Sequence, residues 1–223
     1  MNLTYYPFKP MLINNLKPTL IETNNQKVYT DLISGLNGYT DTIKISNDKF
    51  ELEDCEKSVK WIGDAFVQTD LNRMFQGQLQ KQIVENLDDE TRQKLTELNN
   101  QLKSLVFDAT FTLDLPLKVS SEFDPLRLVK YCDVGFVSAL KQNPYDIIET
   151  VLKAASELKE SKILVLTNVR NYLSVSQFNE LVSLITTLDL NILFIEFSET
   201  DNHENFNKCR YYYVDQDFVD WRY

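Results

Sequence analysis

The sequence predicts an α/β protein whose sheet is mostly parallel. Lys162-Ile163-Leu164-Val165-Leu166 and Ile192-Leu193-Phe194-Ile195 are continuous apolar runs, the pattern of strands buried on both faces. Between them Ser174 and Gln177 have capping-box spacing, ahead of a helix carrying Phe178, Leu181, Val182 and Ile185. Strand, helix and strand in this order form a βαβ unit, and parallel strands need such a crossover.

The remaining elements follow in chain order. Thr19-Leu20-Ile21-Glu22-Thr23 is a β-prone run after Pro18, and 25–35 carries Val28, Leu32 and Ile33 near helical spacing, with Gly35 as a helix end. Thr42-Ile43-Lys44-Ile45-Ser46 alternates as a half-buried strand does, and 59–62 reads as another strand. From 69 to 107 there is no proline and one glycine. Leu71, Phe75, Leu79 and Ile83 share one helical face, and Leu95, Leu98, Leu102 and Leu105 share a second. With the acidic turn Asp88-Asp89-Glu90 between them, these predict an antiparallel helical hairpin with polar faces in solvent. Residues 110–119 return to a strand pattern. Asp124-Pro125 and Asn143-Pro144 each open a helix, the first residue as cap and the proline at the first helical position. The second carries Ile147, Ile148, Val151, Leu152, Ala155 and Leu158 on one face. Residues 211–214 form one more strand.

The chain has 223 residues, 43% of them hydrophobic, enough for one large domain or two small ones. Five glycines and six prolines argue against long flexible linkers. No apolar stretch approaches the ~20 residues that span a bilayer. Residues 1–10 lack the basic and apolar regions of a signal peptide, so a cytoplasmic location is expected. Cys55, Cys132 and Cys209 stand far apart and read as free thiols. The net charge of −10 disfavours nucleic acid as a default partner, because phosphate contacts need lysine and arginine. DNA binding would require the 23 basic residues to be segregated onto one surface.

Conventional catalytic chemistry lacks its residues. After Leu20-Ile21 the chain reads Glu22-Thr23-Asn24-Asn25-Gln26-Lys27-Val28, without the glycines and Lys-Ser/Thr pair of a phosphate loop. The strand ending at Leu166 runs into Thr167-Asn168, where a magnesium-coordinating acid would be needed. His203, the sole histidine, lies in a polar stretch that reads as exposed loop. Neither a serine or cysteine triad nor a zinc site is expected.

Two candidate sets remain. Asp114, Glu122 and Asp124 lie within eleven residues, and an oxygen-rich group of this kind suits calcium. Against this, Asp124 is a plausible helix cap. Lys118, Arg127, Lys130, Lys141 and Lys153 are candidates for a phosphate-tracking face, although Lys153 also has the spacing to pair with Glu149.

Several strings carry a family resemblance. Ile163-Leu164-Val165-Leu166-Thr167-Asn168, Tyr172-Leu173-Ser174 and Leu190-Asn191-Ile192-Leu193-Phe194-Ile195-Glu196 resemble the C-terminal half of the type II-A CRISPR spacer-acquisition protein, the Csn-two family. Tyr211-Tyr212-Tyr213-Val214-Asp215-Gln216-Asp217-Phe218 resembles its closing strand. Gly63-Asp64 with the helices after it, Leu113-Asp114-Leu115 and Leu128-Val129-Lys130 resemble its helical region. The resemblance implies an α/β head of degenerate P-loop NTPase-like topology, here 1–65 and 143–223, with a helical leg, here 66–142. It implies a homotetrameric, calcium-stabilised ring that threads double-stranded DNA from its ends without catalysis. It also implies a CRISPR integrase and an RNA-guided nuclease as partners. A ring acidic outside and basic within would reconcile DNA binding with the net charge. The sequence departs from the family at Pro116-Leu117-Lys118-Val119-Ser120-Ser121, where a denser acidic run is expected, and at Gly135, where a lysine is. Two rival functions are a protein-interaction module that never touches DNA and a metal-dependent nuclease using Asp114, Glu122 and Asp124.

Overall fold

The structure, a computed structural model, describes residues 1–68, 70–137 and 143–223. The chain forms two compact units, Met1–Asp70 with Ser138–Tyr223, and Leu71–Val137.

In the first unit the chain runs through β1 (Asn2–Tyr5), β2 (Met11–Leu12), β3 (Thr19–Thr23), α1 (Gln26–Leu36), β4 (Ile43–Ser46) and β5 (Leu52–Glu53). Then come α2 (Cys55–Ser58), β6 (Val59–Gly63) and α3 (Ala65–Gln68). The second unit supplies α4 (Leu71–Glu85), α5 (Asp89–Thr110) and α6 (Pro125–Tyr131). The chain returns to the first unit with α7 (Pro144–Glu157), β7 (Ile163–Thr167), α8 (Val175–Leu188), β8 (Ile192–Phe197), β9 (Arg210–Val214) and β10 (Asp220–Arg222).

The main sheet has the order β10-β9-β3-β8-β7-β6. Every pairing in it is parallel except β10 with β9. The expected βαβ unit is β7-α8-β8. Its strands are buried along almost their whole length because both faces of the sheet are covered. Ile21, Ile163, Val165, Leu193 and Ile195 join one core with Val28, Leu32 and Leu36 of α1. On α8, Phe178 packs against Phe194 of β8 with ring centroids 5.1 Å apart. Each such buried side chain contributes about 2 kcal/mol.

Caps form at the expected starts of α7 and α8 and, not foreseen from sequence, at the start of α1. Asn25 accepts hydrogen bonds from the backbone of Lys27 at 2.9 Å and Val28 at 3.2 Å. Asn143 caps α7, and Ser174 with Gln177 forms the full capping box of α8.

Two expectations change, and one expected strand finds its place outside the main sheet. Gly35 does not end its helix, which continues to Leu36. A Cβ at this position would stand 2.5 Å from Ile43 Cγ1, so glycine is what allows β4 to pass against α1. The β4 strand itself does not join the main sheet. It pairs with β1 and β5 in a small antiparallel sheet of order β2-β1-β4-β5 that covers the α1 side of the core. The flanking strands are two to four residues long, too short to show a period. Finally, residues 111–119 form no strand. α5 runs through Thr110, and turns and irregular backbone follow. Alternation at Leu113-Asp114-Leu115 needs a neighbouring strand to pair with, and Pro116 removes a donor from that ladder.

In the second unit α4 packs against α6, with Phe75 buried. Asp88 caps α5 by accepting from Thr91 N at 2.7 Å. The leucine stripe of α5 is not buried: Leu98, Leu102 and Leu105 are 59%, 47% and 68% exposed. No residue of this 22-residue helix is fully buried, and among the described residues the outer part of its apolar face, Leu98, Leu102 and Leu105, is left open.

Candidate functional site

The candidate acids sit on the strap between α5 and α6 and at the first cap of α6. Asp114 is exposed in the turn after α5, where 111–116 line a concavity of about 600 Å³. Glu122 is exposed as well, and its backbone carbonyl accepts a hydrogen bond from Lys103 Nζ. Asp124 is committed locally. One carboxylate oxygen accepts from Leu126 N at 2.9 Å and Arg127 N at 3.4 Å, and the other pairs with Arg127 Nε at 3.3 Å. Among the described residues no three His, Cys, Asp or Glu side chains converge as a metal group needs. Oxygen donors are the right kind for calcium, but one chain does not assemble them.

Of the candidate cations, Arg127 and Lys130 lie three residues apart on α6 and are exposed, as is Lys118 on the strap. Lys130, in the last turn, also suits the negative end of the helix dipole. Lys141 lies outside the described residues. Lys153 belongs to the first unit and pairs with Glu149 at 3.0 Å, as its spacing predicted.

Two residues that sequence reasoning passed over organise this unit. Lys103 ties α5 to the strap through Glu122. Asn72, on α4, accepts from Phe136 N at 2.7 Å and donates to Phe136 O at 3.2 Å, so its amide mimics one rung of a β-ladder. A Cβ on Gly135 would lie 2.6 Å from Asn72 Oδ1. A side chain here, where the resemblance leads one to expect lysine, would have to displace the Asn72 amide from this clamp. Neither role is visible in sequence, because each joins positions 19 or 64 residues apart.

In the first unit, the carboxyl ends of the parallel strands are where open α/β sheets hold ligands. Here that edge holds buried acids. Glu22 and Glu196 are register partners on β3 and β8, and both are buried, at 0% and 2% exposure. Arg170 Nη1 pairs with Glu22 Oε1 at 2.8 Å. Glu22 also accepts from the Tyr211 hydroxyl and from Asn202 N at 3.2 Å. Val169 N donates to Glu196 Oε1 at 2.8 Å. Burial pushes the Glu196 carboxyl up to about 8, and Glu22 adds to this, while the Val169 and Arg170 backbone and the Arg170 charge oppose it. Nearby, His203 is 3.1 Å from Asp201 Oδ2, and its ring stacks on Tyr223 at 4.1 Å, so the expected exposed loop is a short, anchored turn. The three cysteines are free thiols, Cys209 buried and Cys132 exposed.

These features define an open parallel α/β protein with buried acids at the carboxyl ends of β3 and β8 and a second, helical unit. The chain belongs to the CRISPR-associated protein (Cas_Csn2) family, whose profile matches residues 62–218. Its fold is similar to that of Stu0660 of Streptococcus thermophilus, known from a crystal structure. The TM-score is 0.58 at 15% identity, over 96% of this chain and 75% of that one. No curated protein matches the chain. Among the described residues no helix is long and apolar enough to cross a membrane.

Proposed function

We propose that the chain acts in the spacer-acquisition stage of CRISPR immunity as a non-enzymatic, sequence-independent binder of double-stranded DNA ends. The observation that carries this reading is membership of the CRISPR-associated family over residues 62–218. The active form is a homotetrameric ring whose partners are the CRISPR integrase and the RNA-guided nuclease. The open outer part of the apolar face of α5 supports assembly, since exposed apolar stripes of this size mark interaction surfaces. The Glu22–Arg170 pair at the carboxyl end of β3, with no phosphate loop after that strand, supports a binding role over a nucleotide-hydrolysing one. Lys118, Arg127 and Lys130 contact the DNA backbone, together with Lys141 and Lys153. Calcium does not fit one chain alone, so in the ring Asp114, Glu122 and Asp124 act with acids of a second copy.

A gel-shift comparison of linear and closed-circular duplex of equal length, at low salt, with calcium or with chelator, tests the reading. Retention of linear DNA alone, weakened by chelator, is the expected result. Equal retention of both forms overturns the ring. No retention favours a protein-interaction module, a reading the net charge of −10 also supports. Cleavage of the linear DNA with magnesium, lost in Asp114→Ala, would overturn the non-enzymatic reading.

A further inference from the structure

Two buried carboxyl groups, Glu22 and Glu196, lie side by side as register partners on adjacent parallel strands. Adjacent strands lie about 4.8 Å apart, so two ionised carboxylates here would repel strongly at low dielectric. Among the described residues the cation at the pair is Arg170, and its guanidinium is directed to Glu22. Glu22 is further engaged by Tyr211 and Asn202, whereas Glu196 receives backbone donors. The other titratable groups around Glu196 are Tyr29 of α1 and Tyr172, whose hydroxyls are pushed up chiefly by burial and further by Asp64. Beyond Tyr211, Asp201 Oδ1 lies 3.0 Å from that hydroxyl oxygen, and Asp201 pairs in turn with His203. One guanidinium thus serves two buried acids.

We propose that Glu196 carries a proton in the folded first unit, making the Glu22–Arg170–Glu196 cluster a proton-linked switch of this unit's stability in the neutral pH range. The direction follows from linkage. Burial raises the folded carboxyl to about 8, against about 4.3 for an unfolded glutamate. Folding therefore takes up a proton between these values. The stabilisation is complete below the unfolded value and is lost as pH rises, until Glu196 ionises near 8. Across that window the folded-to-unfolded ratio falls about tenfold per pH unit on account of this group. Acidification within the neutral range tightens the carboxyl edge of β3 and β8, and alkalinisation loosens it. The switch is independent of whether the chain binds DNA.

The test uses the full chain. Urea unfolding at pH 6, 7 and 8 is followed for the wild type and for Glu196→Gln, whose amide keeps the shape and takes no charge. The stability difference between the two is expected to change about tenfold per pH unit in the folding constant. A difference independent of pH overturns the proposal. If the variant does not fold, the side-chain carboxyl carbons of ¹³C-labelled wild-type protein decide. One glutamate resonance titrating near pH 8 supports the switch, and all glutamates titrating below about pH 6 overturn it.

Discussion

Changing Lys118, Lys130 and Lys141 together to glutamate is expected to abolish duplex binding at physiological salt while leaving the far-UV circular dichroism unchanged. Each lysine held against a phosphate releases counterions on binding. Losing three such contacts lowers the slope of log affinity against log salt by about 3. Reversal adds repulsion to that loss, so the affinity at low salt falls by at least about 100-fold. Folding is spared at Lys118 and Lys130, because both side chains are exposed, one on the strap and one in the last turn of α6. The measurement is a salt series of fluorescence-anisotropy titrations. An unchanged affinity and slope would place the DNA contacts elsewhere. Arg127 is the informative neighbour, since it shares the α6 surface with Lys130 but is partly neutralised by Asp124. Arg127→Ala alone is therefore expected to reduce the slope by less than one unit.

Arg170→Ala is expected to destabilise the first unit by about 3 kcal/mol, the lower end for removing one partner of a buried ion pair. Glu22 is fully buried and pairs with Arg170 at 2.8 Å. Without the guanidinium the buried Glu22 carboxylate loses its ion-pair partner. Arg170 also lies over the Phe206 ring at 5.1 Å, so its removal costs packing as well as charge. Chemical denaturation of Arg170→Ala, Glu22→Gln and the double variant forms a thermodynamic cycle. The double variant is expected to recover part of the loss, because the stranded carboxylate is gone. Equal losses in the single and double variants would show that Arg170 acts through packing rather than through Glu22.

Much of the architecture was legible in local sequence. The apolar runs at 163–166 and 192–195 could be satisfied only by strands covered on both faces, and the caps at Asp124, Asn143 and Ser174 placed helix starts to within a residue. Each of these signals is complete within a few residues. The missing phosphate loop was equally legible, because a glycine-rich turn is a local requirement. The family resemblance rested on the same strings and is borne out over 62–218.

What failed to read were relations between distant positions. A strand pattern at 113–115 found no neighbour to pair with and stayed irregular. The leucines of α5 have helical spacing, and spacing alone does not say whether their face is covered. Gly35 looked like a helix end because glycine has that role locally, whereas its actual requirement is set by Ile43 on another element. The acid pair shows the same division. Glu22 and Glu196 are 174 residues apart in sequence, and each alone reads as an ordinary charged residue near a strand end. The sequence by itself determined the α/β class, the helix starts and the absence of a phosphate loop, since those depend on residues in one stretch of chain. Tertiary structure decided which acids lie side by side, which cation serves them and which apolar face stays open, because burial and charge coupling depend on distance in space.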